Sequence, residues 1–331
     1  VSTASCVLVI EANRVTAQRV GRVLSAACGA QPAVLLSAAS ELPEELPGPP
    51  LLIAADAASL PAVRELLRRF PSAQPLLWAT ADLPTHLAAI RDDARFRAVL
   101  AWPSFASMPR PWELALAARR LTDPMASVPK LADLLGFGAH VQRWRPRTSA
   151  DRDQATEAAG ALVEACGVNR RVADRVGEVV HELLMNAMYD APVDGWGQAR
   201  YAADRRAEVT LDDAEVPTLR VGFDGVLIGV EIHDPFGRLR DEHVLDGVLR
   251  GAANQAAEGG APVLDTRHGG AGLGMARVHG ASTALIVDVR PLEATRLLWF
   301  FDADTSARDT RGMPSSLHLY RSDPGDRGSR S

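Results

Sequence analysis

His181-Glu182-Leu183-Leu184-Met185-Asn186-Ala187-Met188-Tyr189-Asp190-Ala191, followed about eighty residues later by Gly269-Gly270-Ala271-Gly272-Leu273-Gly274-Met275-Ala276-Arg277, decide how this chain is read. Stepping back from Asp190 by fours gives Asn186, Glu182, Glu178 and Asp174, so one face of a helix is polar. Val172, Val176, Val179, Val180, Leu183, Leu184 and Ala187 form the apolar stripe on the other side. The polar face sets a carboxylate and a carboxamide one turn apart, and the glycine-rich run leads into a helix whose free first-turn amides suit a phosphate chain. An ordinary solvated helix face has the same spacing, and both readings stand at this point.

Outward from the helix, Val226 to His233 reads as a strand that ends in the turn Asp234-Pro235-Phe236-Gly237. A carboxylate there accepts a hydrogen bond from an exocyclic amine such as that of adenine; an ordinary Asp-Pro turn is the alternative. The glycine run fits neither the Gly-Lys-Ser/Thr phosphate loop nor the Gly-x-Gly-x-x-Gly fingerprint, because Met275 and Arg277 fall where glycines are needed. His181-Glu182 opens a His-Glu-x-x-His zinc motif that fails at Met185.

The order of carboxylate-Asn helix, strand-end Asp and Gly-x-Gly-x-Gly lid resembles the GHKL ATPase superfamily of DNA gyrase, the ninety-kilodalton heat-shock chaperone, histidine kinases and anti-sigma serine kinases. The resemblance covers about residues 130 to 321. It implies ATP and magnesium as cofactors, Glu182 as catalytic base and Asn186 as metal ligand. The implied nucleotide contacts are Asn186, Asp190, Asp234, Gly237, Gly270, Gly272, Leu273, Gly274 and Arg277. Where the family has Asp-x-Gly-x-Gly, this chain has Asp234-Pro235-Phe236-Gly237-Arg238, so its backbone turns without the first glycine. Magnesium keeps most of its water and takes few protein ligands, so one carboxamide suffices for it. The dipole of the helix beginning at Gly272 adds about 0.3 to 2 kcal/mol per favourable charge. Arg267 and Arg277 are the nearest cations, Arg267 being equally a solvated loop charge.

Residues 1 to 122 alternate short apolar runs with helical patterns. Strands are expected at Cys6–Ile10, Ala33–Leu36, Leu51–Ala55, Pro75–Thr80 and Ala98–Ala101, and helices near Arg14–Ala27, Leu60–Arg69, Thr85–Ala94 and Trp112–Leu121. This is the rhythm of a five-stranded, doubly wound flavodoxin-like parallel sheet. The pattern resembles a two-component receiver domain: Asp56 closes the third strand and Thr80-Ala81 the fourth, but Trp102-Pro103 replaces Lys-Pro and Glu11-Ala12 replaces the acidic pair. Loss of one acid and of the lysine cripples phosphoryl chemistry, which predicts a pseudo-receiver.

Residues 123 to 130 read as a linker, 131 to 321 as a GHKL-type ATP-binding α+β sandwich with helices on one face of a mixed sheet, and 322 to 331 as a disordered tail. Within the second region, helices are expected at Asp151–Cys166 and Val172–Tyr189, the latter capped by Asn169, and strands at His140–Trp144, Leu219–Phe223, Val226–His233, Ala284–Val289 and Arg296–Phe301. Val193 to Asp213, with its Arg205-Arg206 pair, is either a hairpin insertion that meets a partner or a plain loop.

A net charge of −5 gives no reason to expect nucleic-acid binding, and scattered Cys6, Cys28 and Cys166 suggest neither a disulfide framework nor zinc. Lys130 is the only lysine, a bias of a GC-rich bacterial genome more than of function. No apolar run reaches membrane-spanning length and no secretory leader is legible, so a cytoplasmic protein is expected. Three functions remain: a switch-type kinase or ATPase acting on a Ser/Thr of a partner signalling protein, a trans-acting histidine-kinase-like module, or a non-catalytic scaffold, each compatible with a homodimer. Residues 123 to 150 are too short for the histidine-bearing dimerisation hairpin of orthodox histidine kinases.

Overall fold

The computed structural model describes residues 5–80, 83–91, 93–102, 106–126, 128–256, 271–303 and 314–322. The protein is mixed α/β and divides into two compact units, Val1–Val128 with Met313–Tyr320, and Pro129–Gly312 with Arg321–Ser331.

In the first unit, β1 (Cys6–Ile10), β2 (Ala33–Leu36), β3 (Pro50–Asp56), β4 (Gln74–Ala79) and β5 (Ala98–Ala101) run parallel in the order β2-β1-β3-β4-β5. Every side chain of β1 is buried, as expected of a strand covered on both faces. Val7, Val9, Leu52, Ala54, Leu76 and Trp78 pack on one side against Val20 and Leu24 of α1 (Arg14–Ala27) and Leu114, Ala117 and Leu121 of α4 (Pro111–Thr122). The alternate set, Leu8, Ile53, Leu77 and Val99, is equally buried and points the other way, where α2 (Leu60–Arg69) and α3 (Leu83–Ile90) lie against β3, β4 and β5. Asn13 caps α1 by accepting from the amides of Val15 and Thr16 at 3.0 and 3.1 Å.

A sixth strand, β11 (Ser316–Arg321), pairs antiparallel with β5, Leu317 opposite Val99. The sequence reading runs the second domain to residue 321 and finds no strand there, because its burial is polar: Ser316, His318 and Tyr320 are all enclosed. The amide of Ala101 donates to Ser316 Oγ at 2.8 Å, and His318 meets Tyr320 at 3.0 Å and Glu113 of α4 at 3.3 Å. Burial alone would raise the Glu113 carboxyl, but His318 and Arg110 outweigh it and hold the group below the usual carboxylate range.

In the second unit, β6 (His140–Trp144), β7 (Thr218–Phe223), β8 (Leu227–Asp234), β9 (Ala284–Arg290) and β10 (Ala294–Asp302) form the order β9-β10-β8-β7-β6. The expected mixed sheet is instead antiparallel at each described pairing. Ile228, Val230, Ile232 and Asp234 share the face whose cross-strand partners are Phe301, Trp299, Leu297 and Thr295. On that face Trp299 Nε1 donates to the carbonyl of Val278 in α9 (Ala271–Gly280) at 3.0 Å. The helix layer contains α6 (Ser149–Ala165) packed on α7 (Arg170–Met185), α9 beside α7, and α8 (Asp241–Ala256) beside α9. Thr148 and Asp151 form a capping box at the start of α6. The opposite face carries Gly222 and Gly229, cross-strand partners that leave room for Leu135 and for Leu131 of the short helix α5 (Leu131–Leu134). No sequence expectation covers α8.

Val193–Asp213 forms no hairpin ladder; its only pairings among the described residues are the isolated bridges Val193 with Ala199 and Thr148 with Thr210. Among the described residues no helix is long and apolar enough to cross a membrane.

Candidate functional site

α7 is capped by Asn169, whose Oδ1 accepts from the Val172 amide at 3.1 Å. Asp174 and Glu178 are exposed, whereas Glu182, Asn186 and Asp190 are half-buried, so the polar stripe begins as a solvated face and ends inside the unit. At Asn186 the helix widens into a π-helical turn through Asp190, with the Ala191 amide donating to the Asn186 carbonyl at 3.0 Å. The step of four assumed from sequence therefore stops at Asn186.

Beside this turn lies a cavity of ≈ 750 Å³, within the range of small-molecule sites. Asn186, Asp190, Asp234 and Gly237 line it together with Leu183, Ala187, Met275, Thr295 and Leu297. Arg238, Arg240 and His243 stand at the same wall and were not anticipated as site residues. Asp234, 5% exposed, ends β8 on the helix-facing side. Burial pushes its carboxyl up to about 6; the amides of Phe236, at 2.9 Å, and Gly237 offset this only in part. Gly237 has φ +61°, and a Cβ there would overlap the Arg290 carbonyl and come within 2.8 Å of the Leu292 nitrogen. This turn accepts no other residue without moving the β9–β10 connection.

Glu182 stands elsewhere. It lines a neighbouring groove of ≈ 630 Å³ with Thr156, Glu178, His181 and Arg277, and is absent from the lining around Asp234. Arg277, its side chain 78% exposed, approaches Glu182 Oε1 at 3.6 Å. Gly274 lies so close to Glu182 that a Cβ would overlap Oε2, the far end of that side chain. Gly272 and Leu273 stand in the first turn of α9, while Gly270 and Arg267 lie outside the described residues.

The residue that sequence reasoning missed is Arg205. Its guanidinium ion-pairs with Asp190, to which Nε also donates at 3.2 Å, and Nη2 donates to Asn186 Oδ1 at 3.2 Å. Burial raises the Asp190 carboxyl and the Glu182 charge adds to this, with Arg205 opposing both. The Arg205-Arg206 pair was visible in the sequence, but nothing local ties a loop residue to partners 15 and 19 positions away.

In the first unit, the receiver-like positions are satisfied internally. Asp56 Oδ1 accepts from the Ala58 amide at 2.8 Å, Glu11 from the Asn13 amide at 2.9 Å, and Trp102 Nε1 donates to the Ala106 carbonyl at 2.8 Å. Ala81 and Pro103 lie outside the described residues.

Among the described residues no group of three or more His, Cys, Asp and Glu side chains is disposed to hold a metal ion. Comparison with protein-family models gives no match, and comparison with curated proteins gives no significant one, so the geometry carries the functional reading.

Proposed function

We propose that the second unit is a GHKL-type nucleotide module that binds ATP in the cavity between α7 and the end of β8, within a signalling protein that acts with a partner protein. The observation that carries this reading is the buried Asp234 carboxyl on the lining of a ≈ 750 Å³ cavity that Asn186 and Asp190 also line. The layer of α6, α7 and α9 on one face of a five-stranded sheet agrees with the fold that the resemblance implies. Asp234→Ala removes the acceptor for the adenine amine, a loss of roughly 1 to 3 kcal/mol in a buried site. Titration calorimetry with ATP tests it, and unchanged affinity in the variant takes Asp234 out of the site.

The position of Glu182 favours a second reading, binding without turnover. A general base has to reach the reacting group, and Glu182 faces the neighbouring groove, where Arg277 approaches it. If Glu182 is nonetheless the base of a kinase or ATPase, Glu182→Ala keeps ATP affinity and loses turnover. Wild type that binds ATP but neither hydrolyses nor transfers it is a nucleotide-dependent scaffold.

For the first unit we infer a pseudo-receiver. The strand order β2-β1-β3-β4-β5 is that of flavodoxin-like sheets, while Asp56 and Glu11 are spent on backbone amides and Trp102 stands in place of the lysine.

A further inference from the structure

We infer that Arg205 takes the place of a divalent cation in the second unit, so that a nucleoside triphosphate binds there without magnesium. The inference rests on the nucleotide reading above and adds the cation to it. A guanidinium only donates, so the Asn186 atom that it meets at 3.2 Å is the carboxamide oxygen, the one atom of that side chain able to ligate magnesium. With Asp190 already ion-paired to the same guanidinium, the two side chains best placed for a metal are both engaged by one monocation. A divalent ion on Asn186 would stand beside that charge and be repelled by it.

What faces the cavity instead is a set of groups for phosphate oxygens. The Asn186 carboxamide is left with its nitrogen, a donor, and Arg238 and Arg240 stand exposed at the cavity wall. Arg205 keeps Nη1, which has no acceptor among the described residues.

Arg205 is built in rather than passing through. Its turn closes by hydrogen bonds from the Asp204 amide to the Tyr201 carbonyl and from the Ala207 amide to the Asp204 carbonyl, both at 3.1 Å. The Ala207 carbonyl then accepts from the buried Tyr189 hydroxyl at 3.0 Å, and the Tyr201 ring packs edge-on to Tyr189 at 6.4 Å. Arg152 donates to the same hydroxyl at 2.9 Å, so the loop is fastened to both α6 and α7. A metal ion could not take Asn186 Oδ1 without displacing the Arg205 guanidinium from it.

The test is calorimetric titration of the full chain with ATP, once in EDTA and once in excess magnesium chloride. Wild type is expected to bind with affinities that agree within about threefold in the two buffers. Arg205→Gln, which frees the Asn186 oxygen and Asp190, is expected to bind about tenfold more weakly in EDTA and to regain affinity with magnesium. Arg205→Lys keeps the charge and should lose less in EDTA, while thermal melts show that each variant is folded. Wild type that binds about tenfold or more tightly with magnesium overturns the inference alone, as does Arg205→Gln matching wild type in EDTA. Absence of ATP binding by wild type in both buffers overturns the nucleotide reading and the inference with it.

Discussion

Asp234 ties the stability of the second unit to its ligand chemistry. Its carboxyl is raised from 3.8 to about 6 by burial, so the folded state holds this proton more tightly than the unfolded chain does. Its contribution to stability is complete below the unfolded value and is lost as pH rises through about 6, a change of about 3 kcal/mol at most. Urea titrations from about pH 4 to pH 7 should show that decline in wild type and a flatter curve in Asp234→Asn. ATP affinity should run the other way, rising through about pH 6, because the ionised carboxylate is the stronger acceptor for the adenine amine. A pH-independent affinity would mean that the amine is met by another group. The acidic identity of Asp234 is legible in the sequence as a strand-end residue; its burial is not, since that depends on α7 and β10 closing over it.

Two contacts between elements bear on the site. Gly274 lies against the Glu182 carboxylate, the far end of a flexible side chain, so Gly274→Ala is expected to turn that carboxylate aside without moving a helix and to change stability by no more than about 1 kcal/mol by melting. Combining it with Glu182→Ala removes the atoms in the way, and the double variant should be at least as stable as Glu182→Ala alone; a further loss would place strain elsewhere. Tyr189 fastens the Arg205 loop, and Tyr189→Phe leaves the Ala207 carbonyl and Arg152 without their shared hydroxyl. That change should cost roughly 1 to 3 kcal/mol and speed amide exchange across residues 201 to 207. Elements such as the periodic α1 and α7 and the continuously apolar β1 are legible from sequence because burial alone dictates their pattern. α8 is not, with Gly247 and Gly251 interrupting its apolar face, and Gly251 is there because a Cβ would press on Ala276 of α9. Arg205 belongs to the same class, its role set by a turn that carries no periodicity at all.

At the scale of the molecule, the two units differ in how they treat their acids. The first unit has spent Asp56 and Glu11 on its own backbone, so incubation with acetyl phosphate and magnesium should add no phosphate by intact mass. A mass gain that disappears in Asp56→Asn would restore a true receiver. The same unit is completed by a strand from the far end of the chain. β11 supplies an antiparallel neighbour to β5 and brings His318 and Ser316 to Glu113, a carboxylate with no exposed surface. Deleting residues 315 to 331 would take His318 away from Glu113, leave that carboxylate facing Arg110, and expose the β5 edge to water or to another chain. Loss of a partner to a buried charge costs about 3 to 5 kcal/mol, a large share of the stability of a domain this size. The truncated chain should therefore show early unfolding of the first unit by limited proteolysis. Adding back a peptide of residues 314 to 322 should slow cleavage within residues 98 to 122, as a returning strand would; His318→Leu in that peptide should fail, because Glu113 needs the imidazole and not merely the strand.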